Sequence, residues 1–414
     1  MILVNICTRI VRVMSYEMQP EVPDDDSSAL KRGVAVARQV IPLTRVSAHA
    51  LAESVRRPKA RTAADIPVDH RRITSEWLTA VLCRDHPGVS VTAFVAEPAP
   101  GGTSTRWRVS VSYNADAEGL GLPTHLFAKT TRDLSQRMLM GISETLSGEP
   151  MFFSTLRAEL PIQAPQGYHG AWDTASWRSI VLMEDVVATQ GAKFLSAADP
   201  ITRPQMSDLL ANMATWHGKM WQHPRLEGFA DPADIGRVFA AYTDMQARYR
   251  AGTARAGAVI PAELVGRHTE LHHRLKAALA IASTGPQTML HGDAHIGNTY
   301  ITASGAMGYG DWQVVRRGSW AFDFAMTVIT GTDVADRRAW ERELLAEYLD
   351  RLAAAGGPRI DPMHAFRLYR EQSVYPYMAW LTTLGRSKFQ PAMQPDDLCR
   401  IVIGRAAAAV CDLQ

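Results

Sequence analysis

The sequence predicts an α+β fold of two lobes, a small antiparallel β-rich N-lobe followed by a larger, mainly helical C-lobe. Between residues 89 and 131, segments that alternate apolar and polar residues are separated by turn-forming residues, which is typical of half-buried antiparallel strands. Beyond about residue 200, apolar residues recur with the period of about 3.6 residues that marks a helix face. A chain of 414 residues has room for both lobes and an extension.

The first ordered element is expected to be a helix in "ITSEWLTAVL", capped by Thr74 or Ser75. The strands "VSVTAFVAE", "RWRVSVSY" and "THLFAKTT" follow, and after them the helix "GEPMFFSTLRAEL" and the strand "SIVLMEDV". A connector near residues 185–200 leads to the long amphipathic helix "PQMSDLLANMATWHGKMW". We therefore assign residues 71–187 to the N-lobe and residues 188–414 to the C-lobe.

Residues 1–70 mix the acidic "PDDDSS" with the basic "SVRRPKAR" and contain one short amphipathic segment, "SALKRGVAVARQVI". This composition predicts a poorly ordered N-terminal extension. Arg9 and Arg12 interrupt the apolar N-terminus early, so we expect no signal peptide. No run approaches the roughly 18 apolar residues that a membrane-spanning helix needs.

The charge balance argues against a general electrostatic surface for nucleic acid or for an anionic membrane. The chain has 44 basic and 42 acidic residues, for a net charge of +2. Its cysteines have no CxxC spacing, which disfavours a zinc site or a disulfide framework and fits a protein of the reducing cytoplasm. They are Cys7, Cys83, Cys399 and Cys411.

The stretch "LHGDAHIGNTYI" at residues 290–301 places polar side chains on a loop between short predicted strands, "QTML" before it and "NTYIT" and "AMGYGDW" after it. Asp311 closes this strand group, eighteen residues after the aspartate of the loop. The polar side chains of the loop are His291, Asp293, His295 and Asn298.

This inventory is what phosphoryl transfer from a nucleotide requires: an acceptor for the proton of the attacking hydroxyl, oxygen ligands for Mg²⁺ and a cation for the phosphates. Asp293 could orient and deprotonate the hydroxyl. Asn298 and Asp311 could supply oxygens to Mg²⁺, which favours carboxylate and amide ligands. Lys129, near the end of the third strand, could hold the α and β phosphates.

The order of the motifs resembles the aminoglycoside phosphotransferase and choline kinase superfamily, which has a protein-kinase-like fold. The resemblance covers roughly residues 75–410 and rests on "FAKTT", "LMEDV", "HGDAHIGN", "GDWQ" and "WAFDFA". "DWQ" and "GEPMFFSTLRAELP" are most similar to the ecdysteroid-kinase-like (CHK kinase-like) branch. The resemblance implies a kinase that uses ATP and Mg²⁺ to phosphorylate a hydroxyl of a small-molecule acceptor, with Asp293 as the catalytic base.

The resemblance also implies further site residues. Glu149 corresponds to the helix glutamate that pairs with the phosphate lysine, and His295 stands where protein kinases place a lysine near the γ-phosphate, so it is a second catalytic candidate. His291 and Asp323 are implied to hold the loop in shape. The nucleotide is expected against the hinge and under "APGGTST", which replaces a glycine-rich GxGxxG loop. Its implied contacts are Gly102, Thr103, Ser104, Met183, Glu184 and Asp185.

Two other functions stay open. His291, Asp293 and His295 alternate, and an HxDxH run could bind zinc or iron in a metal-dependent hydrolase. Gly292 and Gly297 favour an irregular loop over the strand that such alternation needs. A nucleotide-binding pseudokinase scaffold is the other alternative, although no catalytic polar residue is missing.

The identity of the acceptor does not follow from these motifs. Aminoglycoside kinases need acidic pockets for polycationic antibiotics. The late helices combine acids with arginines such as Arg367 and aromatic residues such as Tyr369 and Tyr377. That mixture favours a less cationic, partly apolar acceptor.

Overall fold

A five-stranded antiparallel sheet forms the body of the N-lobe. The computed structural model describes residues 42–99, 104–387 and 392–413. The strands are Val91–Ala99 (β1), Thr105–Tyr113 (β2), His125–Thr130 (β3), Gly167–Asp173 (β4) and Arg178–Glu184 (β5). Their spatial order is β1-β2-β3-β5-β4, and each neighbouring pair is antiparallel. The predicted two-lobed α+β class and the meander between residues 89 and 131 are confirmed, whereas β4 was not predicted.

The two faces of this sheet have different roles. Successive side chains of a strand point to opposite faces, and along β2 the buried residues are Trp107, Val109 and Val111. Arg106 and Arg108 therefore lie on the other face, which is turned toward the C-lobe. The register places Arg106 directly opposite Lys129 of β3.

The N-lobe begins earlier than predicted. Residues 42–56 form a helix (α1), and its Val46 is fully buried in an apolar cluster with Met138, Met140, Leu146 and Trp177. Glu53 of α1 forms ion pairs with Arg137 and Arg178. The boundary predicted at residue 71 therefore lies too far along the chain, because partners distant in sequence stabilise α1. The candidate helix "SALKRGVAVARQVI" and the rest of residues 1–41 lie outside the described residues.

Further helices pack around the N-lobe sheet. The predicted helix after Thr74 is confirmed: the Thr74 hydroxyl accepts a hydrogen bond from the Trp77 N–H at 3.1 Å, and Trp77 and Leu78 are buried against the sheet. The predicted "GEPMFFSTLRAEL" helix is present but irregular, since an α-helical turn leads into a π-turn and a 3₁₀ turn. The bounds are Ser75–Leu82 (α2), Leu134–Ile142 (α3) and Gly148–Met151 (α4), with the π-turn at Phe152–Leu156 and the 3₁₀ turn at Arg157–Glu159.

Helices dominate the C-lobe, and the one at its centre, Ala321–Gly331, is buried along its whole length. Within the described parts of the chain, no helix combines the length and apolar character needed to cross a membrane. The helices are Val186–Gln190 (α5), Arg203–Lys219 (α6), Pro232–Tyr242 (α7), Met245–Ala256 (α8), His268–Ser283 (α9), Ala321–Gly331 (α10), Val334–Ala354 (α11), Pro362–Gln372 (α12), Val374–Leu384 (α13) and Asp396–Asp412 (α14).

Short strands hold the loop of residues 291–298 at both ends. The strand of residues 288–290, before the loop, pairs with the strand of residues 316–318. The strand of residues 299–301, after the loop, forms a hairpin with the strand of residues 307–309. The predicted β patch around "LHGDAHIGNTYI" is therefore confirmed, with one added strand at each end. The bounds are Lys193–Phe194 (β6), Thr288–Leu290 (β7), Thr299–Ile301 (β8), Met307–Tyr309 (β9) and Arg316–Gly318 (β10).

The ion pairs of Glu53 predict that α1 is integral to the N-lobe. Arg137 is only 1% exposed, so Glu53→Ala leaves a buried guanidinium without its carboxylate. We expect the free energy of unfolding to fall by about 3 kcal/mol, as for other buried pairs that lose one partner. Urea denaturation measures it.

Arg45→Ala is the control, because Arg45 is exposed on the same helix and donates one hydrogen bond, to the Thr174 carbonyl at 3.0 Å. We expect Arg45→Ala to lower the free energy of unfolding by less than about 1 kcal/mol. Equal losses for the two variants would show that α1 contributes only surface contacts.

Candidate active site

A buried carboxylate fixes the backbone of the loop at residues 291–298. Asp323 of α10 is fully buried, and its carboxylate accepts hydrogen bonds from the N–H groups of His291 at 2.6 Å and Gly292 at 3.0 Å. Its third partner is the His217 Nε2, at 3.4 Å. This is the geometry that the predicted supporting role of Asp323 requires.

The side chain of His291 connects the loop to the segment that carries Asp311. Its Nε2 donates to the Gly310 carbonyl at 2.9 Å, and its Nδ1 accepts from the Asp293 N–H at 3.3 Å. Burial lowers the pKa of His291, so the ring is neutral with its proton on Nε2. Both ring nitrogens are therefore used within the protein, which fits a supporting role.

Gly292 sits in a conformation and a space that only glycine fits. Its φ is +82°, in the left-handed region, and a Cβ at this position would lie 2.0 Å from the Val314 carbonyl oxygen. The close approach brings the loop against the chain segment just after Asp311.

Asp293 faces the cleft between the lobes with its side chain 42% exposed. The Asn298 Nδ2 donates to the Asp293 carbonyl at 2.9 Å and lies 3.4 Å from its carboxylate, which orients both side chains. The His295 Nε2 is 3.7 Å from the same carboxylate, and the His295 ring packs edge-on against Trp380. The Asp293 carboxylate can therefore accept a proton from a molecule in the cleft.

Asp311 lies between two cations of the N-lobe sheet. Its carboxylate is 3.0 Å from the Lys129 Nζ and 3.2 Å from the Arg106 guanidinium. Burial alone would raise its pKa, but these two charges outweigh burial and hold the pKa of Asp311 well below its usual range. Its φ of +58° is rare for a residue with a side chain and is typical of functional turns.

Lys129 also forms the predicted pair with Glu149. The Lys129 Nζ and the Glu149 Oε1 are 2.6 Å apart, and both side chains are buried. Burial raises the pKa of Glu149, while the Lys129 ammonium opposes that shift. The pair links β3 to α4 and aims the lysine at Asp311.

Sequence reasoning missed Arg106 and Arg108. Arg106 contacts Asp311, and Arg108 pairs with Asp185 at 2.9 Å, so both line the N-lobe side of the cleft. The alternation of "RWRVSVSY" already placed both arginines on one face of β2. The missing information was the register, which sets Arg106 opposite Lys129.

The remaining predicted nucleotide contacts are only partly defined by the structure. Gly102 and Thr103 lie outside the described residues, and Ser104 is buried, with its hydroxyl 3.5 Å from the Arg106 Nε. At the hinge Met183 is buried, and the Glu184 and Asp185 carboxylates bind other parts of the protein. Any nucleotide contact of Glu184 and Asp185 would therefore come from their backbones.

The oxygen donors at the end of the β8–β9 hairpin fit Mg²⁺. Asn298 and Asp311 lie side by side, because the Gly310 N–H donates to the Asn298 carbonyl at 2.8 Å. Within the described chain, the amide oxygen of Asn298 has no hydrogen-bond donor. A carboxylate and an amide oxygen that leave room for water and phosphate are a donor set that Mg²⁺ accepts.

The alternative transition-metal site does not form. The His291 nitrogens are both engaged, and the His295 Nδ1 accepts from the Gly297 N–H at 3.0 Å. Among the residues that the structure describes, no three His, Cys, Asp or Glu side chains converge in a way that could hold a metal ion. This geometry argues against the hydrolase that uses His291, Asp293 and His295.

The packing around Gly292 gives a test of the loop. Gly292→Ala adds a methyl group that collides with the Val314 carbonyl, in addition to the strain of a positive φ. Gly305→Ala is the matched control: its φ is +88°, but the added methyl meets open space, so it loses only about 1 kcal/mol of stability from strain. We expect Gly292→Ala to lose more in urea denaturation and to weaken nucleotide binding. Equal losses of stability in the two variants would mean that the loop does not pack tightly against the segment that contains Val314.

Three solved structures illustrate what the chain is similar to, at low identity. The choline kinase LicA from Streptococcus pneumoniae is 12% identical with a TM-score of 0.43, and the alignment covers 81% of this chain and 98% of that one. An ethanolamine kinase from Plasmodium vivax is 11% identical with a TM-score of 0.40, and the alignment covers 85% of this chain and 90% of that one. A microcompartment-associated aminopropanol kinase is 13% identical with a TM-score of 0.44, and the alignment covers 80% of this chain and 95% of that one.

The family assignment rests on the sequence. No curated protein matches it at a significant level. The profile of the family described as "APH: Phosphotransferase enzyme family" matches residues 143–369, more than half of the chain, including the loop of residues 291–298, Asp311 and Asp323. The chain therefore belongs to the APH phosphotransferase enzyme family.

Proposed function

We propose that the protein is a small-molecule kinase that transfers the γ-phosphoryl group of ATP to a hydroxyl of its acceptor. The observation that carries this proposal is the convergence of Asp293, Asn298, Asp311 and Lys129 on one cleft between the lobes. Membership of the phosphotransferase family supports the reaction type. The closeness to the CHK kinase-like branch stays a prediction from "DWQ" and the α4 segment.

In this proposal Asp293 accepts the proton of the attacking hydroxyl. Its carboxylate is exposed to the cleft and held by Asn298, so it presents a fixed acceptor. His295 lies beside it and can donate to the transferred phosphoryl group or orient Asp293. The buried Asp323 keeps this loop in place without touching the reacting atoms.

The cations of the N-lobe bind the phosphates. Lys129 and Arg106 now neutralise Asp311, and both can turn to phosphate oxygens when a nucleotide enters. Asn298 and Asp311 would hold Mg²⁺, which neutralises charge on the β and γ phosphates when bound. Glu149 keeps Lys129 in the cleft.

A pseudokinase scaffold has no support from a specific residue. Catalytically silent relatives of a kinase fold are expected to lack the base, a metal ligand or the phosphate cation. Asp293, Asn298, Asp311 and Lys129 are all present and face the same cleft.

The two aspartates should respond differently to mutation. Asp293→Asn removes the base but no proposed nucleotide contact, so we expect turnover to fall at least about 100-fold with MgATP affinity nearly unchanged. Asp311→Ala removes a proposed metal ligand, so MgATP binding and turnover should be lost together. Calorimetry measures binding, and mass spectrometry measures the gain of one phosphate by compounds in a metabolite mixture.

Asp350→Asn is the control for these variants, because it makes the same chemical change at an exposed position of α11. It should behave like the unmodified protein. If Asp293→Asn lost nucleotide while Asp311→Ala kept it, the roles would be reversed. Unchanged turnover in both would refute the kinase proposal.

A further inference from the structure

A deeply buried arginine beside the active-site loop lacks the partners that other buried arginines of this chain have. Arg316 of β10 is 5% exposed. Its guanidinium makes no hydrogen bond or ion pair with the described residues, although the carboxylates of Asp293, Asp323 and Asp231 attract it over longer distances. Arg157, at 4% exposure, donates to four backbone carbonyls, and Arg337, at 1%, pairs with Glu341 and Asp412. Burying hydrogen-bond donors without acceptors is unfavourable, so the free donors of Arg316 need an explanation.

Arg316 lies directly against the loop that carries Asp293. It pairs with Leu290 across the β7–β10 ladder, and a Cβ placed on Gly292 would lie 3.2 Å from its Nε. The guanidinium therefore lies beside the first residues of the loop.

The same side chain borders a cavity of about 360 Å³, a volume that suits a small molecule. The start of α4, the segment before α7 and β10 enclose it. Its lining includes Ser147, Met151, Phe229, Asp234 and Arg316.

The charges around the cavity leave Arg316 as its available cation among the described lining residues. Asp234 is committed to Arg237 and to the Asp231 N–H, and Glu144 is exposed at the rim. Burial lowers the pKa of Arg316 to about 10, so the guanidinium is still charged at neutral pH. Its planar donors match the two oxygens of a carboxylate.

We propose that the acceptor carries an anionic group, a carboxylate or a similar oxyanion, which Arg316 binds in this cavity while the acceptor hydroxyl lies at Asp293. The inference rests on the proposed kinase function and names the substrate class of the same site. A polycationic acceptor such as an aminoglycoside would meet a like charge here. Ser147, which also lines the cavity, is a further candidate donor for a polar group of the acceptor.

Stability separates this role from a structural one. Arg316→Met removes a buried charge that makes no hydrogen bond or ion pair, together with its longer-range attraction to Asp293, Asp323 and Asp231, so the melting temperature should change little. Arg157→Met is the matched comparison, since it leaves four carbonyls without their donor, and its melting temperature should fall. A large fall for Arg316→Met would assign Arg316 to the fold and overturn the proposal.

Paired compounds test the anion directly. The full chain is assayed with MgATP and three matched pairs: glycerate and glycerol, 3-hydroxybutyrate and butane-1,3-diol, and 4-hydroxyphenylacetate and 4-(2-hydroxyethyl)phenol. ADP release reports turnover, and calorimetry with saturating MgADP reports binding. We expect the acids to bind and react in preference to their neutral partners. Arg316→Gln should raise the KM or Kd of the acids at least about tenfold, the loss expected for one charge-assisted contact, and leave the KM of MgATP unchanged.

Arg317→Gln is the control, because it removes the same charge from the neighbouring position of β10, whose side chain points to the other face of the strand. It should match the unmodified protein. Preference for neutral alcohols, no binding of any acid, or an acid affinity unaffected by Arg316→Gln would each overturn the anion site. Acids that bind through Arg316 without any phosphorylation would keep the anion site and count against the kinase function instead.

Discussion

The active-site loop depends on one buried carboxylate. Asp323 has no contact with water, and burying its charge is costly unless hydrogen bonds replace the lost hydration. The N–H groups of His291 and Gly292 and the ring of His217 supply those bonds, and the Tyr348 hydroxyl in turn lies 2.6 Å from the His217 Nδ1. Burial lowers the pKa of His217, so its ring is neutral. The ring links Tyr348 of α11 to Asp323 through hydrogen bonds and so helps to fix the carboxylate that holds the loop. This arrangement fixes the backbone at the start of the loop, next to Asp293.

Local patterns predicted much of the fold, and long-range partners account for what they missed. Strand alternation identified β1 and β2, in which one face is more buried than the other, and the turn-rich segment before β3 marked its start. A continuous apolar run identified β5, which is buried on both faces. The strand β4 was missed because Gly167 and Gly170 weaken its pattern; they allow a close approach to the π-turn and to α4, respectively. Helix α1 was missed because its Glu53 is stabilised by arginines 84 and 125 residues away. No local window contains both partners of such a pair.

The candidate site was predictable where motif order was enough and unpredictable where only register or burial decides. Asp293, Asn298 and Asp311 could be named from spacing, and the structure brings them to one cleft. The acceptor side could not be predicted in this way: Tyr369 and Tyr377, which suggested an apolar acceptor surface, are core residues at 0% and 1% exposure. Composition of a helix does not say which of its faces is buried, so the mixture of residues in the late helices is no guide to the acceptor.

The pairing of Asp311 with two cations has a kinetic consequence. Together with Glu149, the cluster contains two negative and two positive charges, so it is electrically balanced before any ligand arrives. A free divalent cation would gain little there, because it would have to displace Lys129 and Arg106 from Asp311 and leave Arg106 without its counter-ion. In the proposed kinase, a complex of metal and nucleotide would bring both signs at once: its phosphates would replace the carboxylate at Lys129 and Arg106, and Asp311 would be free to hold the metal. In the proposed kinase, this charge balance would favour the entry of metal and nucleotide together, in a single exchange of partners, over entry one after the other.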